Sequence, residues 1–375
     1  MFGGTMPMGL AVDPNQPLVT NDGKAAPIDS YVVARDPSTA SSADDQVLQL
    51  RGNPRSTQPD PTLDRLDVDD GTDFIGNGEA ISAGAVGIGV AEGQIGTGDD
   101  AGSPVIVNYY AKNTAGVDPA QATNAFTTFN GTTGEDEFLG TDGAGVAGAY
   151  GGNLCCFKSP VFSTTVVGNG PLDIVGRNAI VIAHGTGGFA SDPDARASLY
   201  RNFGDPIAER TTNYGVNHPQ SFPTPQEPGD LIDPSGVAAD VGNGRLYVAD
   251  QIANSDFVFA SLTRFNLATG AVEAFASDGE DPGPLVGVRG VAVDPDGRYI
   301  YALASGDTDC NGMLLKYSPS LTLLGRIEVP TPLTGSHCAT SGGDYEDIDV
   351  DNGNGIWLTQ PHSQLMRFFF YPFGP

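Results

Sequence analysis

The chain has 375 residues, with 18 Lys and Arg against 46 Asp and Glu, a net charge of −28 and a pI near 4.1. So acidic a surface excludes a duplex DNA or RNA binder that works by neutralising phosphates, and it repels anionic lipid headgroups. No apolar run approaches the roughly 18–20 residues that a membrane-spanning helix requires, while a hydrophobic share of 39% in a chain this long suffices for a large core.

The 51 glycines and 28 prolines fall between short β-branched and aromatic runs, a distribution that reads as many turns and short strands. Helical periodicity is confined to about two or three turns around Asp192 to Arg201. An all-β fold follows. Met1 to Leu10 lacks a basic leader region, so a leaderless or already processed chain is expected. Four lysines against fourteen arginines, the acidity and the cysteines point to a periplasmic or extracellular protein.

In chain order, Leu10 to Pro14, Tyr31 to Asp36 and Val47 to Arg51 read as three strands, with residues 15–30 lengthening the first hairpin. Residues 53–81 form an acidic, Pro- and Gly-rich connection that contains Asp67, Asp69 and Asp73. Val86 to Val90, Val105 to Tyr110 and Phe126 to Phe129 make a second set of strands, followed by a Gly-rich excursion over 130–153 that is a candidate binding surface. Cys155, Cys156, Cys310 and Cys338 allow two bridges in three connectivities; the simplest pairs Cys310 with Cys338 and leaves the adjacent Cys155 and Cys156 as a vicinal bridge, paired elsewhere or reduced. Asp173 to Ile182 and Ser198 to Arg201 then give a third set.

The last third repeats openly. Gly236-Val-Ala-Ala-Asp240 with Gly244-Arg-Leu-Tyr-Val248 matches Gly290-Val-Ala-Val-Asp294 with Gly297-Arg-Tyr-Ile-Tyr301 at an offset of 54 residues. A third copy, Asp347-Ile-Asp-Val-Asp351 with Gly355-Ile-Trp-Leu358, lies 57 residues further on. Each copy has a third strand with a basic–aromatic pair: Arg264-Phe265, Lys316-Tyr317 and Arg367-Phe368. A fourth strand follows in the two complete copies, at Ala271 to Phe275 and Leu323 to Val329. The unit is a four-stranded blade that cannot bury both faces alone, so copies must pack face to face around an axis.

The G-V-A-V-D-x-D-G-R-Y-I-Y pattern resembles the NHL-repeat and gluconolactonase-like six-bladed β-propellers, most clearly over Asp233 to Phe373. The expected architecture is one six-bladed propeller with long inter-strand insertions, its blades near 8–60, 82–135, 160–212, 230–280, 285–332 and 343–375. The last copy stops after its third strand. Residues near Met1 to Met6 are expected to supply the fourth, the alternative being an edge left open to another protein.

Gluconolactonase-like enzymes hold a divalent cation at the mouth of the central channel. The corresponding positions here are Pro7-Met8, Ser235, Arg289 and Tyr345-Glu346, where one acid facing an arginine reads as an ion pair, Arg289 with Glu346 or Asp344, more readily than as a metal cage. Asp67, Asp69, Asp73 and Asp347, Asp349, Asp351 are calcium candidates by their alternate spacing, but neither run fits an EF-hand loop. Calcium is the one cofactor with a candidate site. No nucleophile motif stands in context around His184-Gly-Thr-Gly-Gly188, and His218, His337 and His362 are scattered. The aromatic end has two readings, core packing or an outward set of Phe368, Phe370 and Phe373 that docks a partner. The leading functional expectation is a non-catalytic interaction or scaffolding subunit whose partners are other protein subunits, including those of a membrane-attached complex. A metal-dependent lactonase-like hydrolase and a filament subunit joined through an open blade edge are the alternatives.

Overall fold

A computed structural model describes residues 6–15, 28–35, 46–52, 62–65, 87–90, 98, 102–111, 123–130, 172–176, 179–184, 196–201, 209–217, 227–231, 234–253, 258–278, 284–304, 312–330, 346–361, 363–370 and 372–373. They form antiparallel sheets whose strands follow one another in chain order. The first sheet comprises β1 (Met6–Val12), β2 (Ile28–Arg35), β3 (Gln46–Gly52) and β4 (Thr62–Arg65). The second has β5 (Gly87–Val90), β6 (Pro104–Ala111) and β7 (Thr123–Asn130). The third has β8 (Leu172–Gly176), β9 (Ala179–His184), β10 (Arg196–Arg201) and β11 (Glu209–Tyr214), and a short parallel pair, β12 (Val216–Asn217) and β13 (Asp230–Leu231), leads out of it.

The fourth sheet is β14 (Pro234–Asp240), β15 (Arg245–Ala253), β16 (Val258–Asn266) and β17 (Val272–Ser277). The fifth is β18 (Val288–Val293), β19 (Ile300–Ala304), β20 (Gly312–Tyr317) and β21 (Leu323–Val329). The sixth is β22 (Ile348–Val350), β23 (Gly355–Gln360) and β24 (Leu365–Phe370). The leading strands β1, β5, β8, β14, β18 and β22 each contact the next, and β22 returns to β1. Sheets placed radially with their first strands around an axis make a β-propeller.

Among the described residues, four of the joints between sheets hold separate apolar cores. Between the third and fourth sheets, Leu199, Tyr214, Val237, Val248 and Phe265 are buried together, with Tyr214 edge-on to Phe265 at 5.9 Å between ring centroids. Val288, Ile300, Leu315 and Tyr317 pack with Tyr247 and Leu262 between the fourth and fifth. Leu303, Leu314, Ile348 and Leu358 do so between the fifth and sixth, and Trp357 packs with Leu10, Val12, Val32 and Leu48 between the sixth and the first. The strand-three pair divides its work: Phe265 and Tyr317 are buried. Its basic member reaches sideways, Arg264 donating to the Pro319 carbonyl and Lys316 lying 3.6 Å from the centre of the Tyr299 ring.

Two expectations change in detail. Strand β4 lies inside the 53–81 connection and completes the first sheet. Ser198 to Arg201, expected as a strand within the one stretch of helical spacing, lies in β10, which is paired on both sides by ladder hydrogen bonds to β9 and β11. Met6 belongs to β1, the innermost strand of the first sheet, and pairs with Arg35; residues 1–5, the rest of the segment expected to supply a fourth strand beside β24, lie outside the described residues.

Candidate functional site: the central channel

The leading strands enclose an axial cavity of about 690 Å³. Four of them end in, or lead directly into, an aspartate at the same station: Asp13, Asp240, Asp294 and Asp351 all line it, together with Asp347 and Asp349. A carboxylate recurs here because the turn to the second strand leaves backbone N–H groups that need an acceptor. Asp240 accepts from the Asn243 N–H at 3.1 Å and lies 3.5 Å from Arg245. Asp294 accepts from the Arg298 and Tyr299 N–H groups at 2.5 and 2.9 Å. Asp351 accepts from Gly353 and Gly355 through Oδ1 and from the Trp357 indole through Oδ2 at 2.8 Å. Asp13 accepts from the Asn15 N–H and the Ser103 hydroxyl, yet burial still raises its pKa above the usual carboxylate value.

Asp347 and Asp349 do something else. The first strand of a blade has one edge paired to the second strand and one facing the axis. Asp347 Oδ2 accepts from the Leu10 N–H at 2.8 Å while its Oδ1 accepts from Ile348 at 2.9 Å. Asp349 repeats the pattern one step along, accepting from Val12 and from Val350, each at 2.7 Å. Each carboxylate therefore bridges the axial edges of β1 and β22, which are some 337 residues apart in the chain. Two further bonds cross the same seam: the Thr359 hydroxyl donates to the Met8 carbonyl at 2.8 Å and Asn352 to the Pro14 carbonyl at 2.7 Å.

The repeat explains why these two carry carboxylates. Asp347 occupies the station of Gly236 and Gly290, and Asp349 that of Ala238 and Ala292. A Cβ added to Gly236 would lie 2.9 Å from the Val291 nitrogen, and one added to Gly290 would lie 2.8 Å from the Ile348 Cγ2 and 3.1 Å from its nitrogen. The joint at Gly236 closes backbone to backbone and that at Gly290 against Ile348, neither with room for a methyl. The seam between the sixth and first sheets has room for a carboxyl at the same station and is held by it. Burial pushes the Asp347 carboxyl up to about 8, against the two N–H bonds that lower it, and the negative charges of Asp349 and Glu346 add to the rise.

Of the expected metal ligands, Asp347, Asp349 and Asp351 are thus brought to the channel with their oxygens engaged by N–H donors. Among the described residues no group of three or more His, Cys, Asp or Glu side chains is arranged to hold a metal ion. Asp67, Asp69, Asp73, Asp344, the four cysteines, His218, His337 and His362 lie outside the described residues, as do 131–153. At the other end of the channel, the Ser235 hydroxyl donates to the Val288 carbonyl at 2.7 Å and ties β14 to β18. Arg289 is half-buried in β18, and Glu346 precedes β22 with its N–H directed at the Thr359 carbonyl at 3.3 Å.

The aromatic end enters two joints. Phe368 lies edge-on to Trp357 at 4.9 Å in the seam core, and Phe373 stacks on Tyr301 at 6.0 Å beside the fifth sheet, with Lys316 5.7 Å from its ring. Phe370 is the last residue of β24, with its side chain outside the description. Sequence reading did not single out Thr359 or the seam role of Asp347 and Asp349. The signal was present in the exchange of glycine and alanine for aspartate in the last copy alone.

No known protein family's sequence profile matches the chain. No curated protein matches it either. Among solved structures it is similar to a gluconolactonase from Xanthomonas campestris (15% identity, 98% of this chain and 97% of the other, TM-score 0.42). It is also similar to hydrazine synthase from Kuenenia stuttgartiensis (12%, 98% and 84%, 0.46) and to the WD40 propeller domain of Doa1 (10%, 98% and 98%, 0.41). At these values no residue role transfers, and the propeller assignment rests on the sheets and their ring.

Proposed function

We propose that the protein is a non-catalytic propeller that serves as an interaction subunit of a larger protein assembly outside the cytoplasm. The observation that carries this reading is the state of the channel carboxylates. Asp347, Asp349 and Asp351 each accept two or more N–H bonds that hold turns and the seam, and a cation there would have to displace those donors at a cost of about 1–3 kcal/mol for each group left unsatisfied. Ser235 and Thr359, near the other mouth, spend their hydroxyls on joining neighbouring sheets. On the outside, β21 presents adjacent Leu323 and Leu324 to solvent, 40% and 53% exposed, the kind of rim surface that a partner covers. The low lysine content and the cysteines support the location.

The test is a metal-and-turnover experiment on the purified chain. Calcium and chelator are expected to leave the melting temperature unchanged, and lactones and esters to remain unhydrolysed. A turnover that chelator removes and Glu346→Gln abolishes would replace this reading with the hydrolase.

A further inference from the structure

We propose that β21 is a self-complementary edge through which two copies of the chain pair antiparallel about a twofold axis, joining their four-stranded fifth sheets into one continuous sheet. The pairing rests on the interaction reading only in that both leave this rim to a partner; here the partner is a second copy.

β21 is the outer strand of its sheet: one edge is laddered to β20 and, among the described residues, no strand pairs with the other. Such an edge carries a row of main-chain N–H and C=O groups that template a further strand. From Gly325 to Val329 it runs in regular register opposite Gly312 to Lys316, with no proline and no break. A bulge ahead of that run leaves Leu324 without a match on β20, and Leu323 and Leu324 are both exposed. Pro330, exposed just past the other end, has no N–H with which to extend the ladder.

Edges guarded by charge of one sign repel a copy of themselves. β21 instead carries both signs two residues apart on one face, in the exposed side chains of Arg326 and Glu328. Turned end for end about Ile327, the strand is its own complement. Arg326 of one copy then stands opposite Glu328 of the other, and the twofold makes that ion pair twice. On the other face Gly325 meets Val329 and Ile327 meets its own copy, while Leu324 comes opposite Pro330 at each end. A register centred one residue to either side sets Arg326 against Arg326 or Glu328 against Glu328, so the charges select the centre.

β17, the outer strand of the fourth sheet, lacks this pattern. Its one charged residue, Glu273, is engaged within the chain by Arg264 at 3.3 Å and by Asn266 at 3.1 Å. The segment ahead of β14 also passes beside its Val272, where a Cβ added to Gly229 would lie 2.7 Å from the Val272 Cγ2. A twofold pairing uses the same edge on both copies, so it closes at two chains and builds no filament.

A contact one strand wide falls below the roughly 1,200 Å² of a stable interface, so the dimer is expected to dissociate on dilution. Sedimentation velocity of the purified chain from about 1 μM to 1 mM (about the span of weak affinities) should show a shift from 38.7 kDa to twice that mass. Amides of β21 should gain protection from hydrogen exchange over the same series while those of β17 do not. Arg326→Glu and Glu328→Arg should each weaken the dimer by about tenfold or more, and the two together should restore it. Glu328→Arg makes the chain less acidic, so weaker association in that variant is not general charge repulsion. A chain that stays monomeric throughout, a dimer indifferent to either reversal, or one that the double reversal does not restore would overturn the self-pairing. None of these results touches the interaction role, which is read from other polypeptides that co-purify.

Discussion

Replacing Gly236 by alanine tests how closely the propeller's inner strands are pressed together. The added Cβ would meet the Val291 nitrogen at 2.9 Å, the Arg289 oxygen at 3.0 Å and the Gly290 Cα at 3.0 Å, all of them backbone atoms of β18. None can rotate away, and ordinary contact lies near 3.5–4.0 Å (about the minimum of the dispersion well), so β14 and β18 must separate by roughly 0.5–1 Å. Overpacking of this kind costs about 1–3 kcal/mol, and the lower entropy of an unfolded alanine returns about 0.4–1 kcal/mol, which leaves a net loss of about 1–2 kcal/mol. Gly242 is the internal control, since its added Cβ finds only the Asp240 Oδ1 at 3.9 Å. Gly242→Ala should be neutral or up to about 0.5 kcal/mol more stable. Urea unfolding of both variants reads the difference as a shift in midpoint at constant slope. Equal midpoints would refute the claim that the repeat's glycine exists to let adjacent sheets meet.

Asp351→Ala leaves two backbone N–H groups and the Trp357 indole without their acceptor and should cost about 3 kcal/mol or more, seen in urea unfolding together with altered Trp357 emission in the native state. Asp278 accepts from the Leu285 N–H at 2.6 Å, and burial raises its pKa to about 6, so its stabilising contribution is present at low pH and lost as pH rises through about 6. Asp278→Asn should flatten the fall in stability between pH 4 and 7 (about the span of that titration) without changing it above. Tyr214→Phe removes the hydroxyl that donates to the Leu267 carbonyl at 2.5 Å and should lower stability by about 1 kcal/mol in thermal unfolding. Deleting 131–152 should weaken partner binding, measured by pull-down against the co-purified subunits, while unfolding stays cooperative.

The propeller was legible where turn chemistry repeats. Asp240 with Gly244 and Asp294 with Gly297 mark the turn after a mostly buried leading strand in two copies, both glycines at a φ of 65°. In the first half the turns are longer and less alike, so β4 passed for connection. The site was legible as a set of acids and misleading as a metal site. Alternate aspartates read as calcium ligands when only side chains are counted, yet an inner strand also presents unpaired N–H groups to the axis, and these claim the oxygens of Asp347 and Asp349. Ring closure was expected from a strand pairing near Met1 to Met6. Met6 leads β1, residues 1–5 lie outside the described residues, and among those described the seam is crossed by bonds from Asp347, Asp349, Asn352 and Thr359, whose partners are Leu10, Val12, Pro14 and Met8. Partners so distant in sequence cannot be inferred from spacing within either segment.

The most direct measurement of the interaction role is the mass and composition of the protein purified from its native source under mild detergent, by size estimation and mass spectrometry. Co-purification with other polypeptides in a fixed stoichiometry, retained through a second purification step, is the predicted result. A lone chain of 38.7 kDa that turns over a lactone or ester would contradict it.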